Sequence, residues 1–368
     1  MHLCYIADAN SIHAKRWIEP FVRRGYNVHL LSYATIERQW SGVELVDLTR
    51  ITNVRKLRFV YWCWWIRCYL RRLQPDILHA HQVQAAGWLG AMVNYHPFIV
   101  SGWGSDILVE PHKSPLRRVL LQAVLRQCDR LTVPSEVMYA KARALGVPDS
   151  RICLIPWGME TDVYRSTPDD RHVTRAQLNI DPDAKVVFCP RAIASAYNLD
   201  VLIEAIQAVR QEIPKTRLVL LRYNVNPTYL SRLEQLIESY ELNNVVCWLP
   251  GQETASAMAR LYRMSDVTVS IPSSEGYGFT VYEAMASGCP TLISNLAVFE
   301  DELVNGVHTL KVPVRDVVQT RQALYTLLTN SDLRDRLREN ALGVCKNKTT
   351  RYRIEQADRL YRELASPS

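Results

Sequence analysis

Short apolar runs alternate with longer stretches of helical periodicity along this chain, and the alternation runs through twice. In the first pass strands are expected at 2–6, 27–32, 76–79, 98–101, 131–134 and 151–155, with helices over 12–24, 54–73, 82–93, 115–128 and 136–145. Parallel strands need such crossovers, because the chain must return to the same end of the sheet. The pattern therefore implies a parallel sheet covered by helices on both faces. The alternation restarts after Tyr164. Strands are expected at 185–189, 217–221, 245–249, 267–271 and 291–294, helices at 199–211, 227–240, 254–264 and 280–287, a further patterned segment at 298–304, and closing helices over 316–342 and 350–365. The reading is α/β: two doubly wound domains, 1–157 and 158–345, joined near Trp157-Gly158, with a final helical segment, 346–368, packing back on the first. A length of 368 residues suits two such cores. Ligands of these sheets bind beyond the carboxyl ends of the strands, and two facing domains would place them in the cleft between.

Composition narrows the class. With 48% apolar and 22% charged residues the chain reads as an ordinary soluble globular protein. No uncharged apolar run reaches the ~18 residues of a membrane span. Met1-His2-Leu3-Cys4 reads as a first strand, and no secretory leader is expected. The nine cysteines are odd in number, widely spaced and without a Cys-x-x-Cys pair, which favours free thiols in a reducing cytosol over a zinc site. Charge is uneven. Through Trp157 there are 20 Lys and Arg against 11 Asp and Glu, and in the remainder 24 against 26, so the excess of +7 lies in the first half. A basic half suits an anionic partner: a lipid surface, a phosphate-bearing substrate or nucleic acid.

The chemistry concentrates between Ser270 and Pro290, where an apolar strand runs into a turn with Gly276 and Gly278 and then into a helix. The glycines let a ligand approach the backbone. The N–H groups of Phe279, Thr280 and Val281 open the helix, and a helix N-terminus favours an anion such as phosphate. Glu283, one turn in, can accept from vicinal hydroxyls, as on a ribose. Glu275 at the strand end can take a sugar hydroxyl. Taken separately, both carboxylates could equally be surface groups beside a glycine turn.

Together these residues form a recognisable pattern. Glu275 and Glu283 with seven residues between them, Pro272-Ser273 before and Ala286-x-Gly288-x-Pro290 after, resemble the donor motif of glycosyltransferase family 4. Asp76-Ile-Leu-His79-Ala-His81, the linker Ile155-Pro156-Trp157-Gly158-Met159-Glu160, and Val304-Asn305-Gly306 with Leu310 resemble other signatures of that family, so the likeness covers nearly the whole chain. It implies the GT-B architecture, two Rossmann-like domains facing across a cleft, the first binding acceptor and the second a nucleotide sugar. It implies a retaining enzyme that moves a sugar from a nucleoside diphosphate, UDP or GDP, to a hydroxyl. Glu283 would bind the ribose and Glu275 a hydroxyl of the donor sugar. Gly276, Tyr277, Gly278, Phe279 and Thr280 would cradle the diphosphate and sugar through the backbone. Arg191 holds the position of the family's phosphate-binding arginine, where a guanidinium offsets charge on the leaving diphosphate.

The chain departs from the family in three places. Much of the family has a lysine shortly after the arginine; here Tyr197-Asn198 stands there and brings no charge. The first loop, Ala7 to His13, lacks the family's Gly-Gly turn. Asn10 and Ser11 are good helix caps, and His13 and Arg16, at i and i+3, could share a face toward the acceptor. In the loop 101–106, Trp103 stands near a position where many relatives have histidine. Asp106 either accepts from the acceptor hydroxyl or caps the turn. Asn10, His13, Arg16, Trp103 and Asp106 are thus the expected acceptor residues. His79 and His81 read as strand-end histidines bonded to backbone. Asp181-Pro-Asp183 reads as turn chemistry. No essential metal and no cofactor is expected.

The leading function is therefore glycosyl transfer by front-face substitution, in which the leaving phosphate oxygen takes the acceptor proton. An epimerase or phosphorylase on the same scaffold, or a non-catalytic binder of a nucleotide sugar or nucleic acid, are the alternatives; no nucleic-acid module is recognisable, and no nucleic-acid partner is expected. The acceptor is a glycan, a lipid-linked group or a small molecule. Residues 54–73 set Arg55, Lys56, Arg58, Arg67, Arg71 and Arg72 around Trp62, Trp64 and Trp65, and 113–126 adds Arg117 and Arg118 beside a Leu/Val face. That pattern suits an anionic membrane surface on the cytoplasmic side, although both segments also read as helices covering the sheet. Three such tryptophans cannot share one narrow buried stripe, so at least one should be exposed or touch a partner.

Overall fold

A computed structural model describes residues 1–51, 57–165, 170–252, 254–346 and 348–366. Arg55 and Lys56 lie outside them. The chain forms two compact units, Gly158–Thr350 and the rest.

The first unit runs β1 (His2–Ala7), α1 (Ile12–Arg23), β2 (Asn27–Ser32), β3 (Glu44–Asp47), α2 (Arg58–Leu73), β4 (Ile77–His81), α3 (Ala86–Val93), β5 (Phe98–Ser101), the short turns α4 (Ser105–Leu108) and α5 (Glu110–Lys113), α6 (Pro115–Gln127), β6 (Arg130–Val133), α7 (Glu136–Ala144) and β7 (Ile152–Leu154). Its seven strands lie parallel in the order β3-β2-β1-β4-β5-β6-β7. Strand order steps one way from β1 to β2 and the other way from β3 onward. Right-handed crossovers then put α1 on one face and α2, α3, α6 and α7 on the other. Side chains obey that split. Leu78 and Ala80 join the core beneath α2, α3 and α6, while His79 and His81 meet Trp17 of α1.

The second unit comprises α8 (Thr161–Tyr164), α9 (Asp170–Gln177), β8 (Lys185–Cys189), α10 (Leu199–Glu212), β9 (Thr216–Arg222), α11 (Pro227–Ser239), β10 (Val246–Pro250), α12 (Ala255–Met264), β11 (Val267–Ser270), α13 (Phe279–Ala286), β12 (Thr291–Ser294), β13 (Leu310–Val312), α14 (Val317–Thr329) and α15 (Ser331–Cys345). Its six-stranded parallel sheet has the order β10-β9-β8-β11-β12-β13. Strands β8 and β11 are neighbours at which the strand order reverses, the kind of switch point where such sheets bind ligands.

The last helix, α16 (Thr350–Ala365), belongs from Arg351 onward to the first unit. It packs on the α1 face. The Tyr361 hydroxyl meets Tyr5 Oη at 3.2 Å, accepts from Trp17 Nε1 at 2.9 Å and meets His79 Nδ1 at 2.7 Å. All nine cysteines are free. No helix among the described residues is long and apolar enough to cross a membrane.

Several elements differ from expectation, the helices α8 and α9 among them. The helix expected over 82–93 begins only at Ala86, because Gln82 and Ala85 take positive φ, and the Val83 N–H is held by the Asp106 carboxylate at 3.1 Å. The single closing helix over 316–342 is two: Asn330 ends α14 and its side chain caps α15 through Leu333 N–H at 2.9 Å. Strands β3 and β13 were not expected.

Candidate active site

The β11–α13 connection of the second unit carries most of the expected donor residues. Gly278 opens α13 with φ 91°, and a Cβ there would stand 2.4 Å from the Phe299 ring, so only glycine fits. The turn brings Glu275 and Thr280 to Arg191, which follows β8. Arg191 Nη2 donates to Glu275 Oε2 at 2.7 Å and Nη1 to Thr280 Oγ1 at 3.1 Å. The Tyr197 ring lies against the guanidinium, 4.4 Å from its carbon. Burial works against the Arg191 charge, but the Glu275 carboxylate outweighs it and the pKa is raised. Glu275 Oε1 accepts the Gly276 N–H at 3.0 Å. A fixed cation thus stands at the carboxyl ends of β8 and β11 beside a helix head.

Glu283 lies one turn into α13 and is buried. Its two oxygens are each held by a phenol: Tyr164 of α8 at 2.8 Å and Tyr262 of α12 at 3.1 Å. Burial and the carboxylate push the Tyr262 phenol well up, so it remains a donor. Sequence reasoning missed both tyrosines. They sit in helices whose pattern marks Tyr262 only as a core position, and no local motif links either to Glu283.

Other expected donor residues have different work. Asn198 is fully buried in the left-handed region at φ 52°. Its amide donates to Ile271 O at 2.8 Å and Ser273 Oγ at 3.0 Å, and its oxygen accepts from Arg315 at 3.0 Å. It therefore locks the β8 and β11 loops together and has no side-chain atom left for phosphate. The Tyr277 ring turns inward against Phe279 and Tyr282, with ring centroids 5.4 and 5.3 Å away, so any donor contact from Tyr277 is through its backbone. The half-buried Phe279 completes that cluster. The Val281 N–H is taken by Gly278 O at 2.9 Å inside the helix start.

In the first unit the expected acceptor residues divide. Asn10 is a loop clamp: Nδ2 donates to Thr35 O at 2.7 Å, and Oδ1 accepts the Glu37 and Arg38 N–H groups at 2.9 and 3.1 Å. The Asp106 carboxylate is buried and accepts from the backbone N–H groups of Val83, Trp103, Gly104 and Ile107. Burial raises its pKa against those four bonds. Asp106 is a turn cap, not an acceptor ligand, because every face of the carboxylate is occupied. His13 and Trp103 do come together, 5.7 Å apart, and both reach Trp157, at 6.0 and 5.8 Å. Arg16 is half-buried on the same helix, and its carbonyl accepts from Arg353 of α16 at 2.9 Å.

The strand-end histidines are not bonded to backbone. His79 bridges Tyr361 Oη and Ser101 Oγ at 2.7 and 2.8 Å. Neither His81 nitrogen has a hydrogen-bond partner among the described residues; Tyr5, Trp17, His79 and Trp103 surround it at 4.8–5.8 Å. Burial holds both histidines neutral, His79 well below its usual pKa and His81 down at about 3. Asp181 accepts the Asp183 N–H at 2.9 Å and pairs with Lys215 at 3.2 Å, as a turn would.

Two parallel Rossmann-like units with a cation and a helix head at one switch point define a class. HepE of Anabaena, solved with UDP and glucose, matches with TM-score 0.84 at 17% identity over 99% of this chain and 100% of that one; the fold is GT-B. Residues 2–135 match the family described as glycosyl transferase 4-like, and residues 170–343 the family described as glycosyl transferases group 1. The chain belongs to the type 4 glycosyltransferases. Among curated relatives, a D-inositol 3-phosphate glycosyltransferase of Actinosynnema mirum is 27% identical over 73% of this chain and 67% of its own length. One of Mycobacterium sp. (strain KMS) is 30% identical over 69% of this chain. The matched stretch spans 59% of the latter protein.

Proposed function

We propose that this chain is a retaining glycosyltransferase that moves a sugar from a nucleoside diphosphate to an acceptor hydroxyl, without a metal or other cofactor. The observation that carries the reading is the Arg191–Glu275–Thr280 cluster at the head of α13, with Glu283 one turn on and clamped by two phenols. Arg191 and the helix start would supply the positive charge that a leaving diphosphate needs. Glu283 would receive the ribose hydroxyls and Glu275 a hydroxyl of the sugar. In the step proposed, the bond from the anomeric carbon to the phosphate oxygen breaks. The acceptor oxygen forms its bond on the same face, and its proton passes to the departing phosphate oxygen. HepE, the GT-B neighbour solved with UDP and glucose, has also been solved with UDP-glucose, which makes UDP the first nucleotide to try, with GDP second. The acceptor is a glycan, lipid-linked or small-molecule hydroxyl met on the cytoplasmic side, and an anionic membrane surface is the further partner.

The test is release of free sugar by the purified protein from UDP-, GDP- and ADP-sugars, with and without chelator. Calorimetric titration of nucleoside diphosphate into two variants follows. Glu283→Ala should weaken nucleotide binding by about tenfold or more, the scale of a charged hydrogen bond, while Glu275→Ala should keep that affinity and lose turnover. Equal affinities in the two variants, or activity abolished by chelation, would overturn the assignment.

A further inference from the structure

Nine of the seventeen large apolar residues exposed among the described residues lie on, or one residue before, α2, α3 and α6. These helices share one face of the first sheet, and α3 touches both of the others. On α2 the buried stripe is Trp62, Ile66 and Leu70. The opposite stripe, Val60, Trp64, Arg67 and Arg71, is exposed, apolar in its first half and cationic in its second, with Trp64 59% exposed. On α6, Leu121, Val124 and Leu125 face the core, while Leu116 at 67% and Val119 at 59% face out beside Leu120. Met92 of α3 is 64% exposed between them. None of the three helices contains an Asp or Glu.

We propose that this three-helix face is the surface by which the chain lies on an anionic lipid bilayer. The inference deepens the membrane part of the reading above, rests on that part alone, and is independent of the donor chemistry. Outward apolar side chains interleaved with arginines, and a tryptophan at the boundary between them, are what an interfacial surface needs: the aliphatic groups and the indole enter the headgroup region, and the guanidiniums hold lipid phosphates. The charge pattern chooses among occupants. A second copy of the chain would set Arg67 and Arg71 against arginines of the same kind with no carboxylate on the three helices to answer them, whereas an anionic headgroup layer complements all of them.

The full chain is sedimented with vesicles of phosphatidylcholine alone and of phosphatidylcholine with phosphatidylglycerol, at low and high salt. Binding is expected only to the anionic vesicles, weakening as salt rises. Arg67→Glu with Arg71→Glu should lower the partition by about a hundredfold, and Trp64→Glu should also lower it. All these side chains are exposed, and urea unfolding of each variant that matches the native chain reports an intact first unit, to which α2 belongs. Absence of binding by the native chain to anionic vesicles at low salt overturns the proposal, as does equal binding to both vesicle types. Unchanged binding in the arginine variant overturns it too, as does self-association that Trp64→Glu abolishes without any vesicle binding. None of these outcomes bears on whether a UDP-sugar is hydrolysed, so the two readings fail separately.

Discussion

Arg191 shows how much one side chain gains from its neighbours. Its two Nη atoms are divided between Glu275 and Thr280, and Tyr197 covers its flat face. A lysine offers one point charge and no plane, and could not make this set of contacts. Arg191→Ala is expected to lose about 2–4 kcal/mol of transition-state stabilisation, and Arg191→Lys to recover little of it. Steady-state kinetics with kcat and KM separated checks this, with urea unfolding of each variant as control because Glu275 loses its partner. Rates within about twofold of the native enzyme in Arg191→Ala would remove the arginine from the chemistry. Tyr197 brings no charge of its own, and its contribution is to hold the existing cation.

Among the elements, α9 is tied to the sheet by one acid. Asp266, just before β11, pairs with Arg171 at 2.7 Å and the buried Arg175 at 2.9 Å, and accepts the Val186 N–H at 2.7 Å. Burial works to raise its pKa, but Arg171, the Val186 amide and Arg175 outweigh it and the net shift is downward. A carboxyl depressed in the folded state contributes stability above the ordinary carboxylate range and loses it as pH falls through the depressed value. Asp266→Ala should cost about 3–5 kcal/mol by leaving Arg175 buried and unpaired. Urea unfolding against pH should show that difference at neutral pH shrinking toward acid. A constant difference across that range would exclude the ion pair as its source. The same scale shows what sequence carries. Interior strands such as β8, with Val186, Val187 and Phe188 all buried, declare themselves as unbroken apolar runs. The edge strands β3, Glu-Leu-Val-Asp, and β13, Leu-Lys-Val, do not, because only half their pairing and part of their surface is covered. The strand, glycine turn and helix between Ser270 and Pro290 were legible because their residues are contiguous. Tyr164, Tyr262 and the true work of Asn198 and Asp106 depend on partners far along the chain, which no local spacing encodes.

At the level of the whole molecule, the first unit holds two histidines that must stay neutral. Their folded pKa values lie below the unfolded value of 6.5, His81 at about 3 and His79 also far down. Such groups leave stability intact above pH ~6.5 and withdraw it as pH falls, because only the unfolded chain takes up their protons. The first unit should therefore lose protection in hydrogen exchange from about pH 6.5 downward, with His81→Leu flattening the slope. Equal acid sensitivity in both proteins would rule His81 out. The chain's path adds an order of events. Tyr5, Trp17 and His79 belong to the first half of the chain, yet the hydroxyl they share belongs to Tyr361. Domains generally complete in the order they leave the ribosome. Here that order is inverted: Gly158–Thr350 is wholly synthesised before the rest of α16 exists, so the first unit is begun first and finished last, and a ribosome that stops at the start of α16 releases a chain whose second unit has every element while the first still lacks its closing helix.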